Sequence, residues 1–552
     1  MLKKSKNNAL HWYKWEEKTF QKAKDENKSI FLSIIEKHTQ WSLKMEEESF
    51  SQPDIIELLN ERFIPIKIDA HEHPEIAKFY QKVYKLMNRS RAGFPLSIFM
   101  TENLEPFYAG SYIAPEAQKE LLAFESLLRV VSKKYITDHD TLVQKGKEVL
   151  ENIHPKEQKI EATRLHIDIL KTIVTHSNNL FDKEHGGFGT APKFSNHSLL
   201  ELLLDTYQLT QNKSLLELVT QSLDAISQGN LYDQKHGGFY SYTTDNAWKN
   251  PYPLKKSYDN ALLIKLYLRA YQLTSNEHYK EIAFKSLDFI IKEMSEERLF
   301  FPQIYQENTK EKAIITSWNS MIISTLFIAS TIDNNYQKIA ETSLEALLNR
   351  VYINKNLYHI THSNEIPTIK AFLEDYAYLG ETLINAYQIT LNESYLIMAT
   401  QFANILIEQF YKYGKWNFSN GPFRIEEEIY DTPYPSSLAV AVSLLMNISS
   451  LVDGNYKKFL FKTLELNSYT LMRQPLSSPK LTQMLLRYLK DDLIIKSDEK
   501  SLKKVMQENP STNYPYILYK TTLEREILLC NSSSILAKTD NPAEIKQLIE
   551  RL

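Results

Sequence analysis

The residues best suited to chemistry are three carboxylates, Asp259, Glu374 and Asp375, in the runs Tyr258-Asp259-Asn260 and Glu374-Asp375-Tyr376. Two carboxylates can cleave a glycosidic bond when they stand about 5–5.5 Å apart for retention or about 6.5–9.5 Å for inversion. Tyr258, Asn260, Trp318, Asn319, Tyr376, Lys193, Phe194 and Trp248 would supply stacking faces and hydrogen bonds for a sugar, although the same residue types also build aromatic cores. Epimerisation instead needs an acid/base group poised near neutral pH, typically histidine. His185 and His236 lie in two near copies, NLFDKEHGGFG and NLYDQKHGGFY. The paired glycines of each copy read as a tight turn, and the histidines as its surface.

A second stretch, FLSIIEKHTQWSLKMEEESF at 31–50, runs from a buried strand into an amphipathic helix. Its turn reads Thr39-Gln40-Trp41-Ser42. Disulfide exchange needs a thiolate to attack and a thiol to leave, and Thr39 and Ser42 offer only hydroxyls. The single cysteine, Cys530, excludes an internal disulfide and a multi-thiolate zinc site. His71 and His73 in DAHEHPE lack a third ligand nearby and read as a solvated loop. Neither a metal nor a cofactor is expected.

The chain has 552 residues, 65 Lys plus Arg against 68 Asp plus Glu, and a net charge of −3. That balance provides no basic field for nucleic acid or an anionic membrane surface. The N-terminus has basic residues without an apolar run behind them, and no stretch approaches a membrane span, so a cytoplasmic location is expected.

Residues 1–158 alternate strand and helix patterns, which argues for an open α/β sheet. From 159 to 490 strands give way to a repeat, with YQLTQNKSLLEL at Tyr207, YQLTSNEHYKEI at Tyr271, YQITLNESYLIM at Tyr387 and weaker copies at Ala329 and Leu451. Twelve helices in six antiparallel pairs suit a closed α/α toroid, with an open solenoid as the alternative. Five residues at one spacing, Ser195, Asp259, Thr316, Asp375 and Ser436, read as N-caps on one rim, where free backbone N–H groups would face a polar ligand. Residues 491–552 return to strands and short helices, a small α/β appendage whose last helix has Asn541 placed as its cap.

Several motifs together resemble the spermatogenesis-associated protein 20-like family: HWYKWEEKTFQKAKDENKSIFLSI near the start, Phe94-Pro95, GGFGTAPKF, SYDNA, TSWN and FLEDYA. The resemblance implies a thioredoxin-like domain with Pro95 in the cis-proline loop. It also implies a toroid similar to six-hairpin glycosidases and N-acylglucosamine 2-epimerases, hence carbohydrate metabolism by fold analogy. The departures remove chemistry. Family members have Cys-His-Trp-Cys at 39–42, a Pro-His-Phe-Glu-Lys run where this chain has Pro251-Tyr252-Pro253-Leu254-Lys255, a Gly-Asn pair near Pro435-Ser436, and a second cysteine after the Cys530 position.

The expected protein is therefore a thioredoxin-like domain without redox function, fused to an (α/α)6 toroid with a degenerate active site that binds a carbohydrate or polyol. A non-catalytic scaffold, with a protein partner at the thioredoxin-like domain, is the alternative. A residual glycoside-modifying enzyme is the third reading.

Overall fold

The computed structural model describes residues 9–90, 93–117, 122–153, 162–306, 309–362, 365–452, 454–508 and 513–551. The boundary expected at 158/159 lies outside the described residues. Two compact units are present: Met1–Lys159 with Gly421–Ile425, and Ile160–Asn420 with Glu426–Leu552.

The first unit is thioredoxin-like. Its four strands, β1 (Ser29–Ile35), β2 (Phe63–Asp69), β3 (Leu96–Met100) and β4 (Pro106–Gly110), lie in the order β2-β1-β3-β4. β1 and β2 are parallel, while β1/β3 and β3/β4 are antiparallel. Side chains alternate across a strand, so one β1 sequence feeds two cores. Ile30, Leu32 and Ile34 pack with Ile64, Ile66 and Ile98, whereas Phe31 joins Phe63, Phe99 and Phe124 on the other face. Burial on both faces explains why the strand reads as a continuous apolar run. The Phe94-Pro95 peptide is cis.

The second unit contains the toroid. Six inner helices form its ring: α8 (His197–Thr210), α10 (Ser257–Thr274), α12 (Thr316–Ala329), α14 (Leu373–Thr390), α16 (Ser437–Leu451) and α19 (Pro479–Lys490). Each packs on the next, and α19 returns to α8, so the ring is closed. Polar bonds cross the seams: Thr325 to the Ala261 carbonyl, Thr382 to the Ser320 carbonyl, Asn447 to Glu381, Arg487 to Asn447, and Gln483 to Asp205. Touching neighbours on several sides buries helices such as α16 all round. Partners α9 (Lys213–Gln228), α11 (Glu277–Glu293), α13 (Asn335–Val351), α15 (Glu393–Phe410) and α17 (Lys457–Leu466) pack outside, and α7 (Ile169–Leu180) lies against α8 and α9.

The repeated YQ-x-T-x-N run is the turn of three of the hairpins. Gln211, Ser275 and Leu391 adopt left-handed backbone and donate to the carbonyls of Tyr207, Tyr271 and Tyr387 at 2.7 Å. The Asn that follows caps the next helix: Asn212, Asn276 and Asn392 accept from the N–H groups of Ser214, His278 and Ser394. The expected loss of strands is corrected in detail, because the outer-to-inner loops carry short pairs such as Ala313–Ile315 with Ile360–His362.

The C-terminal sheet sits in the same unit as the toroid. Its order is Ile517–Thr521, Leu493–Ser497, Ile527–Cys530, Ile535–Thr539, the last strand not foreseen from sequence. Its pairings are parallel, antiparallel and antiparallel, the same order and sense as β2-β1-β3-β4. The sheet is docked by Gln388, whose side chain bonds both the N–H and the carbonyl of Tyr519, and by Tyr516 to Asp205. These contacts reach the C-terminal halves of α14 and α8. As expected, Asn541 caps the final turn, accepting from Ala543.

Candidate functional site

Of the five residues expected as N-caps, only Ser436 is one, accepting from Ala439 at 3.2 Å. Ser195 lies two residues before α8 begins. Thr316 opens α12 and its hydroxyl bonds the Tyr358 carbonyl at 2.6 Å. Asp259 and Asp375 stand at the third position of α10 and α14, because extended residues Lys256 and Phe372 lead straight into those helices. Asp375 caps from inside the helix, accepting from the Phe372 N–H at 2.9 Å.

The three candidate carboxylates separate into two settings. Asp259 is nearly buried in the first turn of α10. Glu374 and Asp375 meet around His359, which the sequence did not single out. His359 Nδ1 lies 2.9 Å from Asp375 Oδ2 and 3.9 Å from Glu374 Oε1, and all three residues are buried. This is the one group of His, Cys, Asp or Glu ligand atoms that converges closely enough to hold a cation among the described residues. Asp375 is already held by His359 and by the Phe372 N–H, so the geometry is that of a positioned acid–imidazole pair. Glu374 also accepts from Tyr434 Oη at 3.1 Å and from Ser317 Oγ at 3.5 Å.

Tyr434 brings an aromatic cluster with it. Its ring meets Tyr258 at 4.9 Å and Tyr378 at 6.0 Å, and Tyr258 meets Trp318 edge-on at 4.6 Å. Tyr258 and Trp318 are only 2% and 3% exposed. Tyr434, from the segment before α16, packs against both rings.

The remaining candidates are placed elsewhere. Asn260 bonds both backbone groups of Phe239 and the Lys256 carbonyl, and Asn319 does the same with Phe300 and Ile315. Both amides thus pin a preceding loop to an inner helix. Lys193, fully buried, bonds Asp182 at 2.6 Å and lies over the Trp248 ring at 4.9 Å. Trp248 donates in turn to the His185 carbonyl. Phe194 is half exposed and packs on Tyr242. Tyr376 faces Phe402 and Phe410 on the outer helix α15.

The two Gly-Gly loops are built alike. Asp182 and Asp233 each accept two loop N–H groups and a buried lysine, Lys193 or Lys255. Lys255 sits over the Phe289 ring at 4.1 Å. Gly238 has φ +76°, and a Cβ there would lie 2.5 Å from Phe289. His185 and His236 are partly exposed beside these aspartates, as expected for turn-surface residues.

The inner helices also carry a set of paired charged and polar groups. Glu201 pairs with Lys265 at 3.0 Å, Asp205 with Arg269, Gln483 and Tyr516, and Glu381 with Ser443 and Asn447. Burial pushes His197 down to about 4. Glu201 is held down at about 2, since Lys265, Lys480 and Arg269 outweigh the burial that opposes ionisation. Asp431 is pushed up to about 6 by burial while accepting from the N–H groups of Ser436 and Lys480.

In the first unit, Thr39 and Ser42 stand at the start of the helix Gln40–Glu48, and Ser42 is buried. Trp41 is 49% exposed and packs at a tilt against Tyr112, with Lys44 against both rings. His71 faces Glu36 and Asp69, and His73 faces Glu75. No helix among the described residues is long and apolar enough to cross a membrane.

Residues 1–154 match the family model Thioredox_DsbH, described as a protein of unknown function, DUF255. The chain is 31% identical over 277 residues to uncharacterized protein B0495.5 of Caenorhabditis elegans, covering 49% of this chain and 38% of that protein. It is 31% identical over 299 residues to spermatogenesis-associated protein 20 of Homo sapiens, covering 52% and 38%. The match thus spans well under half the length of these relatives, and it bears out the resemblance read from the motifs. Among solved structures, a D-mannose isomerase aligns with TM-score 0.48 at 12% identity, over 59% of this chain and 98% of that one. Cellobiose 2-epimerase from Bacillus thermoamylovorans B4167 aligns with TM-score 0.45 at 15% identity, over 59% and 86%. These are likenesses of fold and say nothing of chemistry.

Proposed function

We propose that this relative of spermatogenesis-associated protein 20 binds a carbohydrate-like ligand in its toroid, with little or no turnover, and that its thioredoxin-like unit performs no thiol exchange. One observation carries the toroid reading: the buried carboxylate of Glu374 accepts from Tyr434, whose ring meets Tyr258 of the Tyr258–Trp318 pair. Aromatic faces beside a carboxylate suit a polyol, whose C–H face stacks while its hydroxyls bond. Weak turnover follows from Tyr252, which stands where relatives offer histidine and stacks on Tyr242 with centroids 5.2 Å apart. Burial raises its phenol further, away from any role as a neutral-pH base.

The experiment is a glycan array with a thermal-shift screen, read on wild type and Glu374→Gln. Hits in wild type that weaken in the variant support the reading. Equal hits in both, or none in wild type, overturn it and leave the scaffold reading ahead, for which the exposed Trp41–Tyr112 platform is the natural contact surface. Turnover abolished by the variant would show a glycoside-modifying enzyme instead.

A further inference from the structure

Residues 431–436, which carry Tyr434, meet the first turns of several inner helices. Tyr434 donates to Glu374 at the start of α14 at 3.1 Å. Its ring lies 4.9 Å from Tyr258 in the first turn of α10 and 6.4 Å from Trp318 in the first turn of α12. Asp431 accepts from the Lys480 N–H of α19 at 2.7 Å and from the Ser436 N–H, just ahead of α16, at 2.9 Å. Tyr378 Oη donates to the Pro435 carbonyl at 2.6 Å. Thr432 and Pro433 are exposed and Tyr434 is half-buried, whereas Tyr258, Trp318 and Glu374 are buried.

Side chains hold this segment in place. Residues 431–435 make no backbone–backbone hydrogen bond among the described residues, and Pro433 and Pro435 have no N–H to give. A stretch with few backbone bonds and an exposed middle opens at lower cost than the helices it touches. Asp431, Tyr434 and Tyr378 therefore decide whether it stays closed. A polyol that bonds Glu374 and stacks on Tyr258 would use the carboxylate and the ring that Tyr434 already engages. Asp431 acts through two backbone N–H groups outside the aromatic cluster, so it can be altered without touching that site.

We infer that residues 431–436 form a strap over the candidate site, in which Tyr434 takes the place of a ligand and Asp431 latches the closed position. The inference rests on the carbohydrate reading for the identity of the ligand, while the strap and its latch stand on the contacts alone. Binding then requires the strap to open, and the apparent affinity is the intrinsic affinity scaled by the open fraction.

Two measurements without ligand test the strap on the full chain. Hydrogen exchange read by mass spectrometry follows peptides containing Ser436 or Lys480, whose N–H groups the latch holds. In wild type they should exchange through an opening that low urea leaves unchanged, while peptides from the middle of α14 follow global unfolding. Asp431→Asn keeps the shape but replaces one acceptor oxygen by a donor, and should speed that exchange by about tenfold. Hydroxyl-radical footprinting should show faster oxidation of Trp318 in the same variant. Tyr378→Phe drops the tie to Pro435 and should move both readouts in the same direction, which covers a failure of Asp431→Asn to fold. Exchange of the latch peptides only together with α14, or Trp318 oxidation unchanged in both variants, overturns the strap. Calorimetry with D-glucose and maltose then tests the competition. A sugar that binds should bind Asp431→Asn more tightly, by about the factor that its exchange gains. Weaker binding in Asp431→Asn would make the segment a wall of the site and overturn the strap as competitor. A strap that opens in exchange while neither sugar binds any of the chains keeps the latch and removes support for the carbohydrate reading.

Discussion

The Thr39 hydroxyl oxygen lies 2.9 Å from Ser42 Oγ, a hydroxyl–hydroxyl bond, while its own proton goes to the Glu36 carbonyl at 2.8 Å. Two side chains thus meet where disulfide exchange would need two sulfurs, and their bond closes the turn instead. The protein should not accelerate insulin reduction by dithiothreitol above a protein-free blank. Cys530 supplies no substitute, because it is buried and burial pushes its thiol up. The double variant Thr39→Cys/Ser42→Cys should lose two titratable thiols on oxidation, and retention of both would show that the turn geometry forbids the bridge.

The hairpin turns make a stability forecast. Asn276 caps α11 by accepting from the His278 N–H at 3.1 Å. Asn276→Ala should cost about 1 kcal/mol, and Asn276→Gly only a few tenths. Urea midpoints of the two variants check this. Equal losses would mean that the asparagine acts through something other than its cap.

This turn chemistry was legible in the sequence, since a helical hairpin that repeats must repeat its left-handed residue and its cap. The alternation of Ile30, Leu32 and Ile34 against Phe31 likewise wrote the two cores of the first sheet into one short run. The candidate site was less legible. Asn260, Lys193 and Trp248 have the residue types of a sugar pocket, yet they hold loops against helices, and sequence does not say which way a polar side chain turns. His359 went unseen because its partner Asp375 lies 16 residues on, across a strand and a loop, with no local motif joining them.

Acid should act through His197. Burial lowers its folded value to about 4 from 6.5, against a smaller opposing pull from Glu201. The fold therefore favours the neutral ring, and the unfolded chain binds the proton first. Stability is unaffected above 6.5 and falls as pH drops from 6.5 toward 4, by roughly 3 kcal/mol in full. Asp431 opposes this: with its folded value raised to about 6, its contribution is present below 3.8 and lost as pH rises through 6. The clean observable is the difference between wild type and His197→Gln, from urea midpoints at pH 7, 5.5 and 4. That difference should change steadily across the interval in favour of the variant. A constant difference would show that His197 does not titrate as described.

Glu374 and Asp375 are adjacent in sequence and should still separate cleanly by experiment. Asp375 is wholly buried and holds both His359 and the Phe372 N–H, so it anchors the start of α14. Asp375→Asn weakens those bonds and should cost about 1.5–3 kcal/mol, the range for hydrogen bonds to a charged group. Because its bonds go to His359 and the Phe372 N–H, neither of which belongs to the aromatic cluster, ligand affinity should stay as it was. Glu374 accepts from the neutral hydroxyls of Tyr434 and Ser317 and stands farther from His359, at 3.9 Å. Glu374→Gln keeps an acceptor and nearly the same shape, so its stability loss should be the smaller of the two. Its effect on ligand affinity should be the larger, since the carboxylate is what the cluster presents to a polyol. Urea denaturation and calorimetry with a hit from the glycan screen test both halves. If Asp375→Asn lowered affinity while Glu374→Gln changed only stability, the imidazole-linked carboxylate would be the ligand-facing one, and the site would have to be redrawn around His359.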